Sequence, residues 1–496
     1  MTEDMMRAGR RVGSLRSSTC WERIVIIVEI IETPSLGDRS YVVHDGTDAF
    51  VVDPQRDIDR VLATLEQAGV RLVQIFETHI HNDYVSGGLA LARRTAAEYA
   101  VPAGDQVVFD HRSLADGEEI RVGSMLVRAV HTPGHTHSHL SYVVIEDGGG
   151  PTAVFTGGSL LYGTVGRTDL IDESETEGLT RAQHRSVRGL VNDLPDHVAV
   201  YPTHGFGSFC ASSGGGDRSS GTIAEERAEN LALTIDDQDR FVERLMDGLS
   251  EHPAYYAHMS LLNRSGPFEA DLSLPSRVET EELRRRLMAG EWVVDLRCRR
   301  AFAADHFAGA IGVELDDPYS TYIGWLIPWG SRLTLIAERP EQVAEAQRQL
   351  IRIGVDQLGG AATGALEQIG PTLVRSSFPV SEFVGLAARV GADADVGAKT
   401  DADDASTSLG LRAVVVDVRR RDEWCVGHVK GSVSLPLHQL LEHRHRLPEG
   451  ELWVHCTSGY RAAIASSLLA RAGYPVVLID DAFANAADAG LEVVSG

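Results

Sequence analysis

The sequence predicts an α/β protein of three domains, and three observations carry the prediction. At 496 residues the chain is too long for one ordinary hydrophobic core. From residue 24 to about residue 205, apolar runs of strand type alternate with segments of helical spacing. The remainder repeats itself: Val293-Val294-Asp295-Leu296-Arg297 returns as Val415-Val416-Asp417-Val418-Arg419. At the same offset Phe302 matches Trp424, His306 matches His428 and Gly309 matches Gly431.

Taken in order, residues 1–22 read as a disordered extension. Ile24 to about Val52 is a series of strands broken by Pro34, Gly37 and Asp45-Gly46. Ile58 to Ala68 has helical spacing, and Leu72 to Glu77 is a strand that runs into Thr78. The stretch 211–221, rich in Ser and Gly, reads as a flexible loop, and helical patterns between Ile223 and Leu262 complete a first domain over 23–265. The two repeats then occupy 276–375 and 376–496. Each carries a strand ending in Asp-x-Arg, a helix, His-x-x-Gly and another strand. The acidic, small-residue segment 391–410 reads as a mobile insertion in the second copy.

Composition excludes several functions. An apolar share of 43% and a charged share of 24% are those of a globular protein. A net charge of −25, spread along the chain, argues against nucleic acid or an anionic membrane as partner. Five cysteines without any Cys-x-x-Cys pair make neither a disulfide framework nor a zinc knuckle. No window approaches the roughly 18 apolar residues of a membrane helix. The arginines before residue 17 lead into no cleavage site, so the cytoplasm is the expected location.

The chemistry of the last copy lies in His455-Cys456-Thr457-Ser458-Gly459-Tyr460-Arg461, between a β-type run and a helical one. A thiol there meets backbone N–H groups and a helix dipole that favour its anion. Gly459 lets the loop curl, and Arg461 adds positive charge. These residues resemble the rhodanese sulfurtransferases over about 375–490. The resemblance implies that Cys456 carries sulfur as a persulfide in a loop of Thr457, Ser458, Gly459 and Tyr460. Four residues between Cys and Arg, against five in phosphatases of that fold, suit sulfur rather than phosphate. The first copy has Ala337-Glu338-Arg339-Pro340-Glu341 where its loop should fall, and is expected to be structural and silent.

In the first domain, Thr78-His79-Ile80-His81-Asn82-Asp83 follows a strand and has metal-ligand spacing. Thr132-Pro133-Gly134-His135 and Pro202-Thr203-His204-Gly205 add two more histidines on loops after strands. The pattern resembles the metallo-β-lactamase fold, in its glyoxalase II and persulfide dioxygenase branch, over about 24–265. An αββα sandwich is implied. The family motif His-x-His-x-Asp-His ends here in Tyr84, and the family's aspartate after Thr-Gly is Gly158. The resemblance then leaves at most one metal ion, iron or zinc, on His79, His81 and His135. Asp83 and His204 would be further candidate metal residues or hydrogen-bonding partners that orient the ligands, and Arg167 would lie near a substrate carboxylate. Restoring the carboxylate, Gly158→Asp, is expected to raise metal affinity if the pocket is otherwise intact and to do nothing if it has collapsed.

The joint expectation is a sulfane-sulfur enzyme that oxidises a glutathione-type persulfide, or passes its sulfur through Cys456 to an acceptor. Self-association into a homo-oligomer is compatible with it. A glyoxalase II-type thioester hydrolase and a non-catalytic sulfur-carrier or interaction scaffold are the alternatives. Metal content separates them.

Overall fold

The computed structural model describes residues 26–212, 218–316, 318–398 and 411–496. The expected extension 1–22 lies outside them, as do 213–217 of the Ser/Gly loop and 399–410 of the expected insertion. Residues 391–398 of that insertion are helical instead, continuing the helix Phe383–Ala398.

The first sheet has six strands in sequence order. Ile27–Thr33, Asp38–His44 and Asp48–Val52 pair antiparallel through tight turns. Pairing turns parallel at Arg71–Phe76, because the helix Asp59–Ala68 fills the crossover that parallel strands require. Glu98–Pro102 and Arg112–Leu114 follow. A second sheet orders Ala199–Pro202, Pro151–Gly157, Leu140–Glu146, Met125–His131 and Glu119–Val122.

Both faces of the first sheet are covered, which is why its strands read as continuous apolar runs. Tyr41, Val43, Phe50 and Val52 point between the sheets, against Val127, Tyr142, Val144 and Phe155. Val42, Ala49 and Val51 point outward, beneath Val61 and Leu65 of one helix and Leu89 and Leu91 of Gly88–Thr95. The far face of the second sheet is covered by Thr176–Asp193 and Gln238–Asp247, through Val187, Leu190, Phe241 and Leu245. Each buried Val, Leu or Phe contributes roughly 1.5–3 kcal/mol. The layering is the αββα sandwich. His79, His135, Gly158 and His204 all lie on loops leaving the carboxyl ends of strands, so the two sheets bring them to one edge.

The two repeats form two all-parallel sheets. One orders Ile311–Gly312, Trp292–Asp295, Leu333–Ala337 and Leu358–Thr363. The other orders Val380–Ser381, Val476–Ile479, Glu451–His455, Ala413–Asp417 and Val433–Ser434. The repeated motif is a structural lock. Arg297 pairs with Asp295 at 2.7 Å and Arg419 with Asp417 at 2.6 Å. His306 stacks on Phe302 and His428 on Trp424, each ring also bonded to the carbonyl of its stacking partner. Helix Tyr460–Arg471 packs on Ile311–Gly312 of the first copy, so one apolar core runs through both copies. Among the described residues no helix is long and apolar enough to cross a membrane.

Candidate metal centre and candidate sulfur site

At the edge of the sandwich, His79, His135 and His204 each offer a ring nitrogen, and these atoms all lie within 4.8 Å of one another. The reason is what each ring does with its other nitrogen. His79 Nδ1 contacts Thr78 Oγ1 at 2.9 Å, and that hydroxyl donates to Asp53 Oδ2. His135 Nδ1 bonds the Arg167 carbonyl at 2.7 Å, and His204 Nδ1 bonds Asp38 Oδ1 at 2.8 Å. Three fixed acceptors thus turn three Nε2 atoms toward one point, as in histidines oriented for a metal. His79 and His204 Nε2 stand 3.5 Å apart, and His135 Nε2 is buried without a hydrogen-bond partner. An orphaned buried nitrogen facing two others fits a bound cation.

His81 does not join this group. Its Nε2 is held by Tyr84 Oη at 2.9 Å, Glu77 at 3.2 Å and Asp53 at 3.3 Å. The Tyr84 ring stacks on the His81 ring at 4.2 Å. Burial opposes charge on His81, but Asp53 and Glu77 overcome it and raise its pKa to about 9. The structure thus brings His79, His135 and His204 together, while the Nδ1 of His81, also buried without a hydrogen-bond partner, faces Asp83 and His204 in a neighbouring group. His204 is placed where it could be a ligand beside His79 and His135, and Asp83 lies 3.1 Å from its Nδ1.

Among the described residues two further groups have ligand geometry: His81, Asp83 and His204, and Asp53, Glu77 and His81. The first of these shares His204 with the three-histidine group and His81 with the other, whereas the other has no residue in common with the three-histidine group. Burial depresses His79 well below the ordinary imidazole range and His135 to about 3. Burial pushes His204 down too, but Asp83 and Asp38 outweigh it and hold that ring well above the usual value.

Gly158 has no room for the carboxylate of the resembling family. A Cβ there would stand 2.2 Å from His135 Cδ2 and 2.7 Å from its Nε2. The expected role of Arg167 is also corrected. Its side chain is 2% exposed, paired with Asp169 through two nitrogens and donating to the carbonyls of Phe209 and Ser250. It is a strut between loops, with its donors committed inside the protein.

In the last copy Cys456 follows strand Glu451–His455 directly and is 1% exposed. The Gly459 amide donates to Cys456 Sγ at 3.2 Å. Gly459 has φ +92°, and a Cβ on it would meet Asp480 Oδ1 at 2.2 Å, so only glycine completes the loop. Arg461 differs from expectation. It forms two bonds to Glu423, at 2.6 and 2.8 Å, and a third to Thr457 Oγ1 at 2.8 Å, so its charge is already matched. Thr457 and Ser458 line an open cavity of about 470 Å³ beside Tyr460 and Arg461. Its other wall is the first copy, through Arg299 and Tyr322. Tyr460 Oη donates to the Glu314 carbonyl at 2.7 Å, tying the loop to that copy.

Residues 38–204 match the metallo-beta-lactamase superfamily, and residues 401–488 match the rhodanese-like domain. The chain holds a metallo-beta-lactamase domain followed by a rhodanese-like domain. The hydroxyacylglutathione hydrolase of Methylococcus capsulatus is 29% identical over 52% of this chain and 98% of its own length. The mitochondrial persulfide dioxygenase ETHE1 of Homo sapiens is 26% identical over 47% of this chain and 85% of its own. A crystal structure of a metallo-beta-lactamase from Staphylococcus aureus shares the fold, with TM-score 0.61 and 24% identity over 68% of this chain and 99% of that one.

Sequence reading missed four side chains that shape these sites. In the metallo-beta-lactamase domain they are Asp53, Asp38 and Glu77. Asp53 holds a positive φ of 52° and accepts bonds from Thr78 and Thr203. An Asp-Pro at the end of a strand was the signal available for it; for Asp38 and Glu77 nothing in the local pattern gave one. In the rhodanese-like domain it is Glu423, which looked like an ordinary residue of an exposed short helix.

Proposed function

We propose that this chain is a sulfurtransferase that carries sulfane sulfur as a persulfide on Cys456. In this reading the metallo-beta-lactamase domain works on the same thiol persulfides at one metal ion held by His79, His135 and His204. The observation that carries the proposal is the amide of Gly459 donating to the buried Cys456 sulfur, in a loop whose Thr457, Ser458 and Tyr460 line an open cavity. An N–H aimed at sulfur stabilises the thiolate, and the buried position protects a persulfide from water-borne thiols until a donor or acceptor enters. Thiol persulfides of the glutathione type are the proposed substrates, in keeping with the two named relatives. Iron in the three-histidine site would supply a centre for oxygen chemistry on a sulfur ligand; zinc would supply a Lewis acid.

Residues 276–375 are read as a rhodanese-type copy without its own chemistry. Only Glu338 and Arg339 separate strand Leu333–Ala337 from helix Pro340–Arg352, against four residues in the active copy. A two-residue link cannot form an amide cradle. The test is mass spectrometry of the protein after exposure to glutathione persulfide. One added sulfur atom is expected on Cys456, none in Cys456→Ser, and an unchanged level in Cys298→Ser. Sulfur transfer retained in Cys456→Ser would overturn the reading.

A further inference from the structure

The rhodanese-like site is built around an arginine whose charge is cancelled. Glu423 receives both terminal nitrogens of Arg461, at 2.6 and 2.8 Å, and the Thr457 hydroxyl at 2.7 Å. The other arginines of the cavity are matched in the same way. Arg299 sits 2.6 Å from Glu314 and 2.7 Å from Asp480, and Arg420 sits 3.2 Å from Asp422. Asp316 adds a further carboxylate to the wall. A cavity of about 470 Å³ is of the size that takes small organic ligands rather than a lone oxyanion. Each arginine of the cavity therefore already has a carboxylate beside it, with Glu423 serving Arg461 first and Arg420 at 3.7 Å. A compact dianion entering it would lose its water and gain no unmatched charge. A zwitterionic thiol, carrying both ammonium and carboxylate groups, finds partners of both signs.

We propose that Glu423 sets the donor specificity of the Cys456 site: by neutralising Arg461 it selects organic thiol persulfides over inorganic thiosulfate. The inference rests on Cys456 being the sulfur carrier. The step it governs is Cys456–S⁻ + R–S–SH → Cys456–S–SH + R–S⁻. The Cys456 thiolate attacks the outer sulfur, a new S–S bond forms, and the donor S–S bond breaks with its electron pair leaving on the thiolate. No oxidant or reductant is consumed. The same attack on thiosulfate expels sulfite, which leaves as a dianion and needs the unmatched cation that Glu423 removes. Glu423 acts through Arg461 and is a positioning residue.

The experiment compares glutathione persulfide and thiosulfate as donors to the full-length protein, with a common thiol acceptor, at two ionic strengths. For the wild type, kcat/KM should favour the persulfide, and the thiosulfate value should change little with salt. Glu423→Gln keeps the hydrogen-bonding shape and removes the charge. It should raise the thiosulfate-to-persulfide ratio about tenfold, through a lower KM for thiosulfate that salt now raises again. Glu423→Asp should restore the wild-type ratio. Parallel loss with both donors in Glu423→Gln would mean a merely structural role and would overturn the proposal. So would a wild type that prefers thiosulfate, a result that holds even where the variant does not fold. A wild type in which Cys456 accepts sulfur from neither donor would instead refute the sulfur-carrier reading beneath it.

Discussion

Gly158 is where sequence and structure make opposite predictions about metal. By resemblance alone, Gly158→Asp restores a missing ligand and strengthens binding. In the fold, the first atom of any side chain at 158 lands 2.2 Å from His135 Cδ2, well inside contact distance. The ring must swing away, and overpacking of this kind costs about 1–3 kcal/mol. Swinging also breaks the 2.7 Å bond to the Arg167 carbonyl and leaves a buried acceptor unsatisfied, a further ~1–3 kcal/mol. The variant should therefore be less stable by roughly 2–6 kcal/mol in urea unfolding of the metal-free protein. It should also retain less metal than the wild type after equal dialysis, measured by elemental analysis. Gly158→Ala separates the two effects, because it brings the same Cβ without a carboxylate, and it should lose metal as well. Tighter binding in Gly158→Asp with unchanged stability would refute the placement of His135. Two ions held tightly by the wild type would refute the reading of a single-ion site on His79, His135 and His204.

Two further perturbations test the cysteine loop. Gly459→Ala forces a left-handed backbone on a residue with a Cβ and drives that atom into Asp480, so a loss of about 2–4 kcal/mol in unfolding free energy is expected, with sulfur transfer abolished; a stable, active Ala variant would show that the amide of residue 459 does not need this geometry. The Glu423–Arg461 pair gives a pH signature. Burial raises the Glu423 pKa, but bonds from Arg461 outweigh it and bring it down to about 2. A depressed carboxylate stabilises the fold above its unfolded pKa and loses that contribution as pH falls toward the folded one. The stability gap between wild type and Glu423→Gln should thus be flat above about pH 5, at most ~3 kcal/mol, and close as pH falls toward about 2. A gap that widens on acidification would contradict the assigned ion pair.

The order of strands and helices, the twofold repeat and the cysteine loop were legible in the sequence because each depends on residues close together in the chain. Apolar runs buried on both faces announce a covered sheet, and Cys456 to Arg461 is one continuous turn between a strand and a helix. What only the tertiary structure decided is where side chains point. His79 and His81 leave the same strand end, yet Tyr84, Asp53 and Glu77 hold the Nε2 of His81, and Asp38 turns His204 to face His79. Arg167 and Arg461 both read as free positive charges until Asp169 and Glu423 are seen to hold them. Rotamers of buried polar groups are set by competition among hydrogen-bonding partners, and these partners come from elements remote in sequence. Pattern and spacing fix which residues reach the site, while the packed fold fixes which atom each one presents to it.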